Sequence, residues 1–447
     1  MISKSSEVLD AHGVPYVNQT SSNPSVVHSK VAPGEIAVGV VIGRASEYFD
    51  FFVYGLASVL VFPEVFFPFK NRLDGMLLSF VIFSFAFIAR PIGTALFMSI
   101  QRRWGRGFKL TGALFLLGTA TVGMAFLPGY GVLGFHSIVL LSMFRFLQGI
   151  ALGGSWDGLP SLLALNAPRA RRGWYSMLGQ LGAPIGFMLA SALFLYLNSS
   201  LSHKDFLEWG WRYPFFVAFA INVVALFARL RLVMTEEYTA LLEEGDLEPI
   251  PVFQMLRAQG YNLFIGAFAA MASYVLFHLV TVFPLSWISL KSSQAIDNVL
   301  VVQIIGACVG IVGTVASGLI ADRIGRRTTL GLLACLIGIF SLFAPWLLDG
   351  GPAAQDAFIL IGFALLGVSY GQAAGTVTAN FERRFRYTGA ALTTDFAWLL
   401  GAGFAPLVAL GLSAHFGLVY VSAYLLSGVA CTLLALKINH TLESVAH

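Results

Sequence analysis

Apolar runs of about twenty residues alternate with short polar connections along this chain, the repeat a helix needs to cross a hydrocarbon core roughly 30 Å thick. The runs fall at 36–62, 77–100, 108–128, 132–157, 173–197, 212–233, 261–288, 298–321, 328–348, 356–380, 387–413 and 416–437. They predict an all-α membrane protein with about twelve transmembrane helices. Residues 1–35 are polar and lack an apolar core, which predicts a disordered cytoplasmic tail and no cleaved signal. The longest connection, 234–259, holds Glu236, Glu237, Glu243, Glu244, Asp246 and Glu248 before Pro249 and Pro251. It separates a first helical bundle (36–233) from a second (260–437), and residues 438–447 form another cytoplasmic tail. An amphipathic surface helix is expected over 235–244.

Composition agrees: 57% of the 447 residues are hydrophobic and 11% charged, against about 25% charged in soluble chains. The net charge of +4 does not call for a nucleic-acid partner, because the basic residues are spread by loop. Alternate loops hold Arg102, Arg103, Arg106, Lys109, Arg171, Arg172, Arg323, Arg326, Arg327, Arg383, Arg384 and Arg386. The other loops hold only Lys70, Arg72, Lys204, Arg212 and Lys291. This bias places both termini in the cytoplasm. Cys308, Cys335 and Cys431 lie in apolar spans without metal-ligand spacing and are expected to be packing residues. No phosphate-binding GxxxxGK[ST] loop, metal-ligand cluster or nucleophile motif is present, so neither an enzyme nor a cofactor is expected.

The informative polar positions lie inside the spans. Arg44, Glu47 and Asp50 in GRASEYFDFFVYG (43–55) each cost about 2.5–3.5 kcal/mol at a helix centre, so they face a bundle interior or an aqueous cavity. At about 100° per residue they share a stripe with Phe51 and Tyr54. Arg44 and Glu47 are spaced to neutralise each other, yet Asp50 exceeds what one arginine needs. A surplus cavity carboxylate suits proton-coupled translocation. Asp395 sits about two and a half turns inside the eleventh span, too deep for a helix cap. It is either a structural acid paired with an arginine or hydroxyl, or a proton site. Tyr274, His278 and Thr281 share one face of the seventh span, where His278 is either a proton relay or a satisfied core group. Gln303 joins Gly306, Gly310 and Gly313 in the eighth; the glycines read as a packing seam and Gln303 as a cavity group. Arg90 reads as a packing or hydrogen-bonding residue more readily than a substrate contact. Gln148 shares a side with Arg145, while Gly149, Gly153 and Gly154 permit close helix approach.

Two inner loops six spans apart, RRWGR (102–106) and DRIGR (322–326), imply two related halves with a site at their interface. EYFDFFVYG followed by RPIG (90–93), then RFLQGIALGG (145–154), RRGWYSMLGQLGAPIG (171–186), WGWRYPF (209–215), ADRIGRR (321–327) and RYTGA (386–390), resembles the metabolite:proton symporter family of the major facilitator superfamily. The resemblance implies two pseudo-symmetric six-helix bundles around a central cavity that opens alternately to either side. It also implies inner-membrane residence in a bacterium. It makes Arg145 a partner for Glu47 or Asp50, and makes Arg102, Arg103, Arg106, Asp322, Arg323 and Arg326 an inner gate in which the carboxylate meets basic residues and helix amino termini. The first loop departs from the family pattern, with Arg102 where the aspartate belongs, and Glu382 or the 236–248 acids become its expected partners. The chain also reads GGSWDG (153–158) where the family has GGEWGG, so that glutamate's role is not carried over.

The expected function is import of a small organic anion with protons, as a monomer in the bilayer. Protons would bind Glu47, Asp50 or Asp395; Arg44, Tyr54, Arg145, Gln148, Tyr274, His278 and Gln303 would bind solute. A zwitterion carrier, an exporter or antiporter, and a non-transporting sensor on the same fold are the alternatives. The direction of counterflow separates the exporter, and ligand binding without accumulation separates the sensor.

Overall fold

The computed structural model describes residues 33–155, 168–233, 248–373 and 381–438. Two expectations therefore lie partly or wholly outside the described residues: the surface helix at 235–244, and the tails at 1–32 and 439–447. The described part of the first tail is already helical, since the first span begins at Pro33.

The helices follow the apolar runs closely. The first, α1, is Pro33–Leu60. Arg72–Ala125 is continuous except at Gly105 (φ 81°), which divides it into α2 (72–104) and α3 (106–125). Then come α4 (Phe135–Ser155), α5 (Arg172–Ser200) and α6 (Tyr213–Val233). The second half holds α7 (252–291, broken at Ala270), α8 (Ile296–Ile324), α9 (Arg326–Asp349), α10 (Pro352–Tyr370), α11 (Arg386–Phe416) and α12 (Val419–Ile438). The 234–259 linker is shorter than expected, because α7 starts at Val252, immediately after Pro251.

The internal repeat is visible in the backbone. Gly325, between α8 and α9, has φ 81°, the value found at Gly105 between α2 and α3. This left-handed conformation costs an L-residue about 1–2 kcal/mol, and among the described residues no non-glycine adopts it. Each tight turn sends the chain straight back into the next helix, and the two turns lie at the end of the molecule that carries the basic loops.

Helices α1 and α7 lie at the centre. Every residue of the apolar window in α7 is buried by protein, whereas α9 turns Leu332, Leu336, Ile339 and Phe343 outward, as a lipid-facing helix does. Cys308 and Cys335 are also on exposed faces and not in the core as expected, because the apolar runs are lipid-facing on one side. Small residues set the close contacts inside each bundle. A Cβ on Gly149 would lie 2.3 Å from the Ala86 carbonyl oxygen, and one on Gly153 would lie 2.2 Å from that of Arg90. The glycines of α4 thus let α2 approach to backbone contact at the level where α2 carries Arg90.

Candidate solute and proton site

The polar stripe of α1 divides between two environments. Arg44 and Glu47 border a central cavity together with Tyr48, Phe51, Arg90 and Trp398. Arg44 Nη1 donates to Glu47 Oε2 at 2.6 Å, and Ser155 Oγ donates to Oε1 at 3.0 Å. The serine that replaces the family glutamate therefore serves the α1 carboxylate instead. Trp398 reaches the cavity from a π-helical turn, Trp398–Gly403, which interrupts α11; such turns often mark functional sites. Trp156 and Asp157 lie outside the described residues.

One turn further along, Asp50 points into the first bundle. Thr121 Oγ1 lies 3.0 and 2.9 Å from its two oxygens, and Gln148 Nε2 and Asn222 Nδ2 donate to it at 3.3 and 3.2 Å. Arg145 Nη1 donates to Gln148 Oε1 at 3.0 Å, and Nε to the Phe83 carbonyl oxygen at 3.3 Å. The expected contact between Arg145 and an acid of α1 is therefore indirect. Gln148 stands between the two charges, accepting from one and donating to the other. The guanidinium lies 3.9 Å from the centre of the Tyr54 ring, a desolvated cation–π contact. Tyr54, Arg145 and Gln148 were expected to meet solute; they line the bundle interior, not the cavity. The periodicity placed Tyr54 on the α1 stripe with Arg44, Glu47 and Asp50, but that stripe turns from the cavity into the bundle along the helix.

The second-half residues divide similarly. His278 is fully buried among the rings of Phe51, Phe83, Phe87, Phe277 and Trp398, with Nδ1 3.3 Å from Thr281 Oγ1. Gln303 donates through Nε2 to the Thr281 carbonyl oxygen at 2.7 Å and does not border the cavity. Tyr274 packs edge-on against Tyr370 and Trp398. The Tyr370 hydroxyl meets that of Tyr48 across the bundle interface.

Asp395 is paired with both an arginine and a hydroxyl, one of its two expected environments, although its sequence position did not name the partners. Arg90 Nε donates to Asp395 Oδ1 at 2.7 Å, and Thr94 Oγ1 donates to Oδ2. This ion pair joins α2 of one bundle to α11 of the other. The 305 residues that separate the partners left no local spacing to reveal it, although two isolated opposite charges in apolar spans were a signal that they meet.

The bundles are tied at both ends. At the basic end, Asp322 accepts from the backbone amides of Gly173 and Trp174 at 2.6 and 3.2 Å, capping the start of α5. Arg326 Nη2 donates to the Arg172 carbonyl oxygen at 3.0 Å. The other half uses a different device. Lys109 Nζ donates to the Tyr387 hydroxyl, which donates to Gln101 Oε1, both at 3.0 Å, and the Arg106 guanidinium lies 5.7 Å from the ring centre. This tyrosine clamp ties α11 to α2 and α3. Arg102 does not meet Glu382 as expected: it donates to Ser99 Oγ, while Glu382 engages Gln259 and Arg384. Arg102 is exposed, and of its other expected partners the acids at 236–247 lie outside the described residues. Arg103 and Arg323 are exposed and take no part in these ties among the described residues. At the opposite end, Asn198 Nδ2 and Ser199 Oγ donate to Asp297 at 2.6 and 2.9 Å, joining α5 to α8.

Residues 127–406 match the family described as Major Facilitator Superfamily. The chain is 35% identical over 412 residues to the inner membrane metabolite transport protein YhjE of Escherichia coli, covering 91% of this chain and 94% of that one. It is 28% identical to the shikimate transporter of the same organism, covering 88% and 91%. A solved structure of the proton:xylose symporter XylE, bound to 6-bromo-6-deoxy-D-glucose, superposes with a TM-score of 0.67 at 21% identity, covering 90% and 95% of the two chains.

Proposed function

We infer that this chain, which belongs to the major facilitator superfamily and within it to the metabolite:proton symporter family, imports a small organic anion together with protons by alternating access. Members of the superfamily are membrane transporters, and this multi-pass protein is one of them and not an enzyme. The observation that carries the anion reading is the Arg90 guanidinium on the cavity wall, beside the Arg44–Glu47 pair. Each arginine has a carboxylate partner, but Arg90 holds Asp395 through Nε alone, and the rest of its donor fork suits a carboxylate-bearing solute. Tyr48, Phe51 and Trp398 supply apolar walls for its carbon skeleton. The name of the shikimate transporter points the same way, since shikimate is a carboxylic acid.

Glu47, Asp50 and Asp395 are the acids positioned to carry protons: two beside the cavity and its arginines, one inside the first bundle. Protonating a buried carboxylate removes a charge that holds neighbouring donors in place, and so changes which conformation is favoured. The basic end, with the Asp322 cap and the Tyr387 clamp, is the cytoplasmic gate, and the Asp297 contacts form the outer gate. The protein works as a monomer in a bacterial inner membrane, with the 36–233 and 260–437 bundles as its two moving bodies.

Uptake of labelled mono- and dicarboxylates into proteoliposomes with an inward proton gradient tests this reading. Accumulation of one of them that collapses with a protonophore is the expected result. Gradient-driven uptake of a cationic or uncharged solute in place of every acid would overturn the anion assignment.

A further inference from the structure

We propose that Arg90 binds the solute carboxylate and that Asp395, behind it, takes the coupled proton when the solute arrives; this rests on the organic-anion reading above. The Arg90 side chain is 11% exposed and that of Asp395 only 2%, so a solute in the cavity reaches the guanidinium first. Arg90 uses its Nε on Asp395, and its two Nη groups have no hydrogen-bond partner among the described residues. Arg90 borders the cavity, and its Nη groups offer the donors that a carboxylate accepts. Arg44 is less suited, because its Nη1 and Nη2 already engage Glu47 and Tyr48.

A second carboxylate on Arg90 puts two negative charges on one buried cation. Two carboxylates sharing one site do not both remain ionised. The solute anion and one proton enter together: Asp395 becomes a neutral acid, and the guanidinium keeps one anionic partner. The charge of the site is unchanged. The hydrogen bonds for both states are already in place. With Asp395 ionised, the Thr94 hydroxyl donates to it; with Asp395 protonated, the acid donates to Thr94 Oγ1, whose own proton turns to the Gly153 carbonyl oxygen 3.3 Å away. Arg90 is the only cation bonded to Asp395 among the described residues. The other ionisable groups facing it are Lys109 from α3 and Tyr274 from α7, and Lys109 is engaged with Tyr387. Solute binding also loosens the tie between α2 and α11, which releases the bundles to move.

The test measures proton uptake when the purified protein, in weakly buffered detergent with a pH indicator, binds the carboxylate identified in the uptake screen. Wild type should take up about one proton per solute bound. Asp395→Asn should bind the solute without proton uptake, and in proteoliposomes should lose gradient-driven accumulation. Binding by wild type without proton uptake would overturn the proposal while leaving the anion reading intact, and this arm does not depend on the variant folding. Undiminished uptake in Asp395→Asn would overturn it too, by placing the proton elsewhere. Failure of wild type to bind any carboxylate would overturn the anion reading and this proposal together.

Discussion

Asp322→Asn tests the gate most directly. The carboxylate caps α5 with two hydrogen bonds, from Gly173 and Trp174. Bonds to a charged acceptor contribute about 1.5–3 kcal/mol each, and a negative charge at a helix amino terminus adds about 0.3–1 kcal/mol. Asparagine keeps one acceptor oxygen and loses the charge. Asp322 is only partly buried, so solvent screening reduces the loss to about 1–2 kcal/mol, roughly 5–30-fold in the open-to-closed ratio at this end. Spin labels at Trp104→Cys and Thr328→Cys, both exposed at the basic end, would report it in a cysteine-free background. The longer-distance population between the labels should grow in Asp322→Asn and shrink in Asp297→Asn, which weakens the opposite tie to Asn198 and Ser199. Identical distance distributions in all three proteins would refute the assignment of these carboxylates as opposed gates.

Gly153→Ala places a methyl group 2.2 Å from the Arg90 carbonyl oxygen and 2.5 Å from the Thr94 amide. It should lower thermal stability by about 1–3 kcal/mol and reduce solute affinity by displacing Arg90; an unchanged melting temperature and KM would contradict the close approach of α4 to α2. Tyr387→Phe removes one hydroxyl with partners at Lys109 and Gln101. It should break the link from Lys109 through the hydroxyl to Gln101, speed opening at the basic end and raise solute efflux from preloaded vesicles several-fold; efflux equal to wild type would refute the clamp.

The spans, the repeat and the family were legible in the chain because each rests on local information. An apolar run of about twenty residues has few other places to go than a bilayer. A glycine between basic residues at 102–106 and 322–326 marks a tight turn wherever the rest of the protein lies, and both turns have the same φ. The face shared by Arg44, Glu47, Asp50 and Tyr54 followed from helical period alone.

Which neighbour each face meets was decided by tertiary packing. The period grouped Asp50 with Glu47, but only the placement of α3, α4 and α6 gave Asp50 its ring of Thr121, Gln148 and Asn222, while Glu47 kept the cavity. Arg90 read as a packing residue and Asp395 as one of two kinds of acid until the bundles came together and made them partners. The first gate loop lacked its aspartate, and nothing local to 102–106 announced that Tyr387 would reach Lys109 and Gln101 beside it. Sequence determines the cost of burying each charge, and that cost demands a partner. Which partner is available depends on contacts between segments hundreds of residues apart, and no periodicity records those.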